Sequence, residues 1–192
     1  MKLRSAIITP LFFLLASSAS SAHYSTTPSV PAAPSLSFLY TLYCWCETNI
    51  YSTQGPRGIR TTIPIVGGNF TGPRLAGRVL DVGADWGLTD VQTGIFSADT
   101  RYNLQTYDGA NVFVQTSGPA QASGGLHLRL IFETGDKNYY WLNNVIAVGI
   151  LQGVEGFANA THFLLKIDAW HMTSDYNSTT FINGTTYPPG SN

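Results

Sequence analysis

From Leu36 to Met172, apolar and β-branched runs alternate with clusters of Gly, Pro, Asn and Asp every eight to twelve residues, and no stretch keeps a helical period over three turns. Such punctuation restricts the chain to an all-β sandwich or barrel. The spacing predicts strands near 37–47, 61–66, 75–82, 99–106, 111–115, 126–133, 145–151 and 163–172. Asp108-Gly109 between two of them is a strong hairpin signal. Residues 143–151 have the length of a short helix, but Val145, Ile146, Val148 and Ile150 are β-branched and favour a strand. Pro64–Pro73 combines Gly67, Gly68 and Gly72 with two prolines and reads as a strand meeting a tight turn.

The ends differ from this body. Lys2 and Arg4 precede an apolar run, Ala6 to Ala16, and a small-residue tail ending at Ala22, the pattern of a signal peptide over 1–22. That run is about half the roughly 20 residues a spanning helix needs, and no later segment is long and apolar enough to span. Residues 23–35 read as a flexible lead-in, 36–173 as one domain, and 174–192 as a mobile tail. The expected location is the secretory route or beyond. Loss of Lys2 and Arg4 leaves eight of the ten Lys+Arg against eleven Asp+Glu. Without a basic surplus, nucleic acid is an unlikely partner class.

Four N-glycosylation acceptors are present, at Asn69, Asn159, Asn177 and Asn183. Both cysteines fall in Tyr43-Cys44-Trp45-Cys46-Glu47. On a strand they share a face with Cα atoms roughly 6.5–6.8 Å apart, the outer limit for a disulfide. Free buried thiols, a strained local bridge and cross-chain bridges in a homodimer all remain open, and an oxidising route favours the last. One Cys-x-Cys without a second pair or nearby His lacks the ligand count for a metal, so none is expected.

Several ordered words stand out beyond the glycine-rich stretch: Gly83-Ala84-Asp85-Trp86, Asp99-Thr100-Arg101-Tyr102, Asp108-Gly109-Ala110, Phe132-Glu133-Thr134 and Tyr140-Trp141-Leu142-Asn143. In that order, from about Leu36 to Trp170, the chain resembles a family of small β-barrels from bacteria and filamentous fungi that carries a domain-of-unknown-function label. Asn144 and the cysteine pair depart from the general pattern. The resemblance implies a single antiparallel, lipocalin-like barrel of about eight to ten strands with an enclosed cavity. Members with a signal peptide and sequons also resemble the secreted fungal hetero-Diels–Alderases of tropolone-sesquiterpenoid biosynthesis. This second resemblance implies a cofactor-independent coupling of a tropolone quinone methide to a humulene-type sesquiterpene. A carrier of an apolar or aromatic small molecule is the alternative.

Candidate residues follow. Asp85 is expected to assist dehydration, and Arg101 or Tyr102 to donate a hydrogen bond to the oxygen that gains charge. Trp86, Tyr140, Trp141 and Asn143 are expected to bind substrate, the last three from a strand on which Trp141 and Asn143 share a face. The bland readings are a turn cap for Asp85, core packing for Trp86 and the tyrosines, and an Asp99–Arg101 ion pair on one strand face. Strand alternation puts Asp99, Arg101, Asn103 and Gln105 on one face and Thr100, Tyr102, Leu104 and Thr106 on the other. Which face looks inward is not fixed by the sequence.

Overall fold

A computed structural model describes residues 33–174; the signal peptide, most of the lead-in, most of the tail, and the sequons at Asn177 and Asn183 lie outside them. The described chain is one antiparallel sheet of nine strands. In chain order these are β1 (Ser35–Glu47), β2 (Tyr51–Gly55), β3 (Gly58–Thr71), β4 (Ala76–Thr89), β5 (Phe96–Thr106), β6 (Asn111–Pro119), β7 (Leu126–Glu133), β8 (Ala147–Ala158) and β9 (His162–Thr173). Neighbours run β1-β9-β8-β7-β6-β5-β4-β3-β2, and β1 also pairs with β3. Eight strands therefore close into a barrel, and β2 is an extra strand hairpinned onto β3.

The expected strands are all present, but several run longer than their composition announced. The glycine-rich stretch is one reason. Gly67 and Gly68 lie inside β3, not in a turn, and the chain turns only at Gly72–Leu75, where the Gly72 N–H donates to the Leu75 carbonyl (2.9 Å). At these glycines β3 slips register against both neighbours, between Trp45 and Cys46 on β1 and between Pro64 and Gly68 on the β4 side. A bulge bends a strand and increases its twist, which is what a closing sheet needs at a corner. Pro64, lacking an N–H, sits where the ladder is already interrupted. β2 was not expected: its five exposed residues, Tyr51–Gly55, have no apolar face to betray a strand.

Alternation puts Tyr40, Leu42, Phe70, Leu104, Val112 and Val114 inside, all fully buried. At one end of the barrel Tyr40 meets Phe70 and Phe132 edge-on, with ring centroids 5.8 Å and 6.1 Å apart. Edge-to-face pairs of this kind add to the area they bury. Tyr140–Asn144 closes that same end, and it is a 3-10 turn where the sequence suggested a strand. Leu142 is its buried residue. The Asn143 side chain accepts from the Thr134 N–H and donates to the Thr134 and Tyr140 carbonyls, at 2.8–2.9 Å. These bonds hold backbone that a strand ladder would have satisfied.

Gly68 combines a left-handed φ with a close backbone approach. Its φ is +147°, and a Cβ built there falls 2.0 Å from the Tyr43 carbonyl oxygen and 2.9 Å from Cys44 Cα. Gly68→Ala is expected to cost about 3 kcal/mol through strain and backbone overlap. A lowered urea midpoint with unchanged slope checks this; an unchanged midpoint contradicts it.

Candidate active site

The end opposite the 3-10 turn is packed less tightly. A hollow of about 30 Å³ lies among Cys44, Cys46, Ile63, Ile65, Asp85, Thr100, Tyr102, Thr116, Leu151, Leu165 and Ile167. A space of that size holds a water molecule or two. Its walls are mainly aliphatic, and its polar groups come from β1, β4, β5 and β6. The Phe96 ring lies directly over Gly87 and adds apolar cover.

Asp85 is the carboxyl at this hollow. It sits within β4, opposite Thr100 of β5, and its Oδ1 accepts the backbone N–H of Asp99 (2.8 Å). Burial raises its pKa above the ordinary carboxylate value. The Asp99 N–H, the Thr100 hydroxyl and the Arg60 charge oppose that shift, while the Asp99 charge adds to it. The balance favours a carboxyl that keeps its proton to higher pH than an exposed aspartate does.

Three hydroxyls nearby are buried without a hydrogen-bond partner: Tyr40, Tyr102 and Thr116. The two phenols lie close enough to influence each other's ionisation, yet neither completes a well-formed bond. Burial holds both far above the ordinary phenol range, so they stay neutral donors. A buried polar atom left unpaired costs roughly 1–3 kcal/mol, and such atoms call for a partner. Tyr102 and Thr116 both line the hollow.

The cysteines line it too, as free buried thiols. The expected cross-chain bridge is thus corrected: Cys44 and Cys46 are 4% and 2% exposed inside the barrel, where no second chain reaches them. The side-chain hydrogen bond with Cys46, burial and the Asp85 charge, in that order, raise the Cys44 pKa, so this thiol is protonated.

The remaining expected site residues are dispersed. Arg101 points outward, 41% exposed, and pairs with Asp99 (2.9 Å), which also meets Arg60 (3.3 Å). Its expected role as a donor in the lumen is corrected to the supporting ion pair, because strand alternation gives Tyr102 the inner place and Arg101 the outer one. Trp86 follows Asp85 directly and faces the other side of the wall, 37% exposed, so the two do not share a guest. Tyr140 is 58% exposed, and the Asn143 amide is committed to backbone. Trp141 alone of that word borders a larger space, a cleft of about 370 Å³ at the turn end, where the Arg74 guanidinium stacks 3.6 Å from its ring centroid. Thr100 and Thr116 were missed as site residues, although the alternation of β5 and β6 puts them on the Tyr102 face. Among the described residues no cluster of three His, Cys, Asp or Glu side chains is placed to hold a metal ion, and no helix is long and apolar enough to cross a membrane.

Over residues 34–170 the sequence matches the family described as protein of unknown function DUF3237. The chain belongs to that family. Among its DUF3237 relatives is the hydroalkoxylation enzyme phnH of Penicillium herquei, 31% identical over 119 residues, which cover 62% of this chain and 75% of that protein. The UPF0311 protein RPA1785 of Rhodopseudomonas palustris is 32% identical over 109 residues, covering 48% and 71%. A β-barrel-like protein from Acinetobacter baumannii superposes with a TM-score of 0.65 at 29% identity, over 75% of this chain and 99% of its own. An enzyme from Penicillium herquei superposes with a TM-score of 0.57 at 27% identity, over 75% and 98%. This DUF3237 barrel is therefore related to a fungal enzyme.

The raised Asp85 pKa makes a prediction for stability. The folded protein holds this proton more tightly than the unfolded chain, so the group's contribution to stability is greatest at low pH. It falls as pH rises from the ordinary carboxylate value through the raised folded one. Asp85→Asn keeps the acceptor for the Asp99 N–H and removes the buried charge. The variant is expected to be more stable than wild type at neutral pH, with the gap closing toward pH 3. Urea unfolding across that range checks the sign; a variant less stable at neutral pH contradicts it.

Proposed function

We propose that this barrel is a cofactor-independent enzyme that forms a carbon–oxygen bond in an apolar or aromatic small molecule, with Asp85 as its proton donor. The observation that carries the reading is a carboxyl biased toward its neutral form in an aliphatic hollow, beside the unpartnered hydroxyls of Tyr102 and Thr116. The kinship with a hydroalkoxylation enzyme supports it. In an addition of that kind, a substrate hydroxyl oxygen joins an alkene carbon, a proton reaches the other alkene carbon, and the hydroxyl proton is released. Asp85 can supply the first proton and take back the second.

The finer form expected from the sequence is a hetero-Diels–Alder coupling. There Asp85 protonates the hydroxyl of a hydroxymethyl tropolone, water leaves, the ring hydroxyl gives its proton back to the Asp85 carboxylate, and the neutral quinone methide so formed adds to a humulene-type alkene. Of the two expected donors, Arg101 and Tyr102, the role falls to Tyr102, at roughly 3–4 kcal/mol for one well-placed bond. Holding the two partners in register supplies roughly 7–11 kcal/mol more. Neither partner fits a 30 Å³ hollow as it stands. The reading therefore requires Ile63, Leu151, Leu165 and Phe96 to move aside as substrate enters.

Incubating the purified protein with a hydroxymethyl tropolone and humulene, and separately with a phenol bearing a pendant alkene, tests both forms. Rate and stereochemistry above background are expected for one of them. Asp85→Asn should lower that rate about 10²–10⁴-fold, and Tyr102→Phe about 10²–10³-fold. Arg78→Gln, on the outer surface of β4, should leave it unchanged. Background rates with both substrate pairs end the proposal.

One observation favours a second reading, a non-catalytic barrel that binds an aromatic molecule: the 370 Å³ cleft at Trp141 has the volume of a small-ligand site. On that reading a flat aromatic acid quenches Trp141 fluorescence saturably, and Trp141→Ala abolishes the binding. Binding retained in Trp141→Ala removes this reading and leaves the proposal above unaffected.

A further inference from the structure

We infer that the outer face of β7, β8, β9 and β1 is the interface of a homodimer. Strands of a barrel are expected to turn polar residues outward, and most of this wall does. Toward the turn end of these four strands apolar residues take the outer positions as well. Ile131, Ile146, Met172 and Leu36 make one row, and Val148, Trp170 and Phe38 the next. The register makes both rows continuous: Val148 pairs with Trp170 and Trp170 with Phe38, while Met172 pairs with Leu36 and donates its N–H to the Ile146 carbonyl (2.8 Å). Leu130 opposite Ala147 brings Ile131 beside Ile146. Trp170 is half-buried at the centre, with Phe38 edge-on at 6.3 Å.

The exposures are large. Ile146 is 65% exposed, Ile131 60% and Leu36 56%, and Phe38, Met172 and Val148 are each at 40% or more. Together they offer on the order of 600 Å² of apolar side chain, the upper end for a monomer's largest patch. With its polar border the face approaches the roughly 800 Å² that each partner contributes to a standard interface. An apolar centre with an aromatic anchor and a charged rim is the composition of a protein contact.

Charge and position favour a second copy of this chain over other occupants. The border holds both signs, with Arg129 and Glu133 on β7 and the Lys166–Asp168 pair (2.8 Å) on β9. Two-fold pairing can set Arg129 of one copy against Glu133 of the other. A membrane surface would instead call for a basic excess. Both described sequons lie off the face. Asn69 is on β3, opposite Tyr43 and away from the Leu36 and Phe38 rows of β1, and Asn159 is in the turn between β8 and β9 at the far end of the barrel. The cysteines play no part.

Sedimentation velocity of the secreted chain at micromolar concentration is expected to give the mass of two chains. Ile146→Glu occurs twice in a two-fold contact and should weaken the dimer at least about thirtyfold. Ile131→Ser with Ile146→Ser should weaken it in the same direction, with the far-UV circular dichroism of wild type. Val91→Glu, exposed at the other end of the barrel, should leave the mass unchanged. A wild-type chain that sediments as one copy overturns the inference. So does a folded Ile131→Ser/Ile146→Ser variant that stays dimeric as tightly as wild type.

Discussion

Everything inside this protein depends on β1 pairing with β3. These strands are joined through six registered residue pairs, from Thr41 opposite Thr71 to Cys46 opposite Ile65. Closing a twisted sheet requires one strand to bend sharply without losing its partners on either side. β3 does so by slipping register against both neighbours at Gly67 and Gly68. The same contact that closes the wall also brings Cys44, Cys46, Ile63 and Ile65 to the hollow. Closure and site are thus one event, and a change that opens the seam removes the site's shelter.

The interior that results is uneven. At the turn end, Tyr40, Phe70, Phe132 and Leu142 fill the barrel as a solid core, and the dispersion and apolar burial there hold the strands in register. Toward the other end, smaller and more polar side chains such as Thr100, Thr116, Cys44 and Cys46 replace the rings, and packing gives way to the hollow at Asp85. A carboxyl whose pKa is raised by burial, lying beside unsatisfied hydroxyls, is costly to maintain. That cost is tolerable because the filled half supplies the stability. The packed core and the polar hollow are therefore divided along the barrel axis.

Much of this was legible in the chain. Turn clusters and alternation were enough for the antiparallel class, the position of most strands and the two faces of β5. Closure into a barrel came from the ordered family words, and the β1–β3 pairing agrees. Which face turns inward was not legible, because both faces of β5 carry polar residues; that choice moved Arg101 outside and kept Tyr102 within. The Tyr140–Asn143 word looked like a strand since aromatic and aliphatic residues dominate it, but the Asn143 amide supplies the backbone bonds that let a 3-10 turn form. Gly67 and Gly68 looked like a turn because composition reports backbone freedom, not its use, and here that freedom serves a bulge. The thiols share one strand face as the alternation requires, and of the three open readings the free buried pair is the one found rather than the favoured cross-chain bridge.

Asp85 and Trp86 adjoin in the chain yet face opposite sides of a wall one residue thick. The same holds for Tyr102 and Arg101, and for Leu130 and Ile131. Each strand thus carries two interleaved texts, one facing the barrel interior and one facing outward. Mutation can rewrite either text while the other stays intact, since no side chain is shared. A scaffold with that property can change its interior without renegotiating its neighbours, which suits a small domain found in both fungi and bacteria.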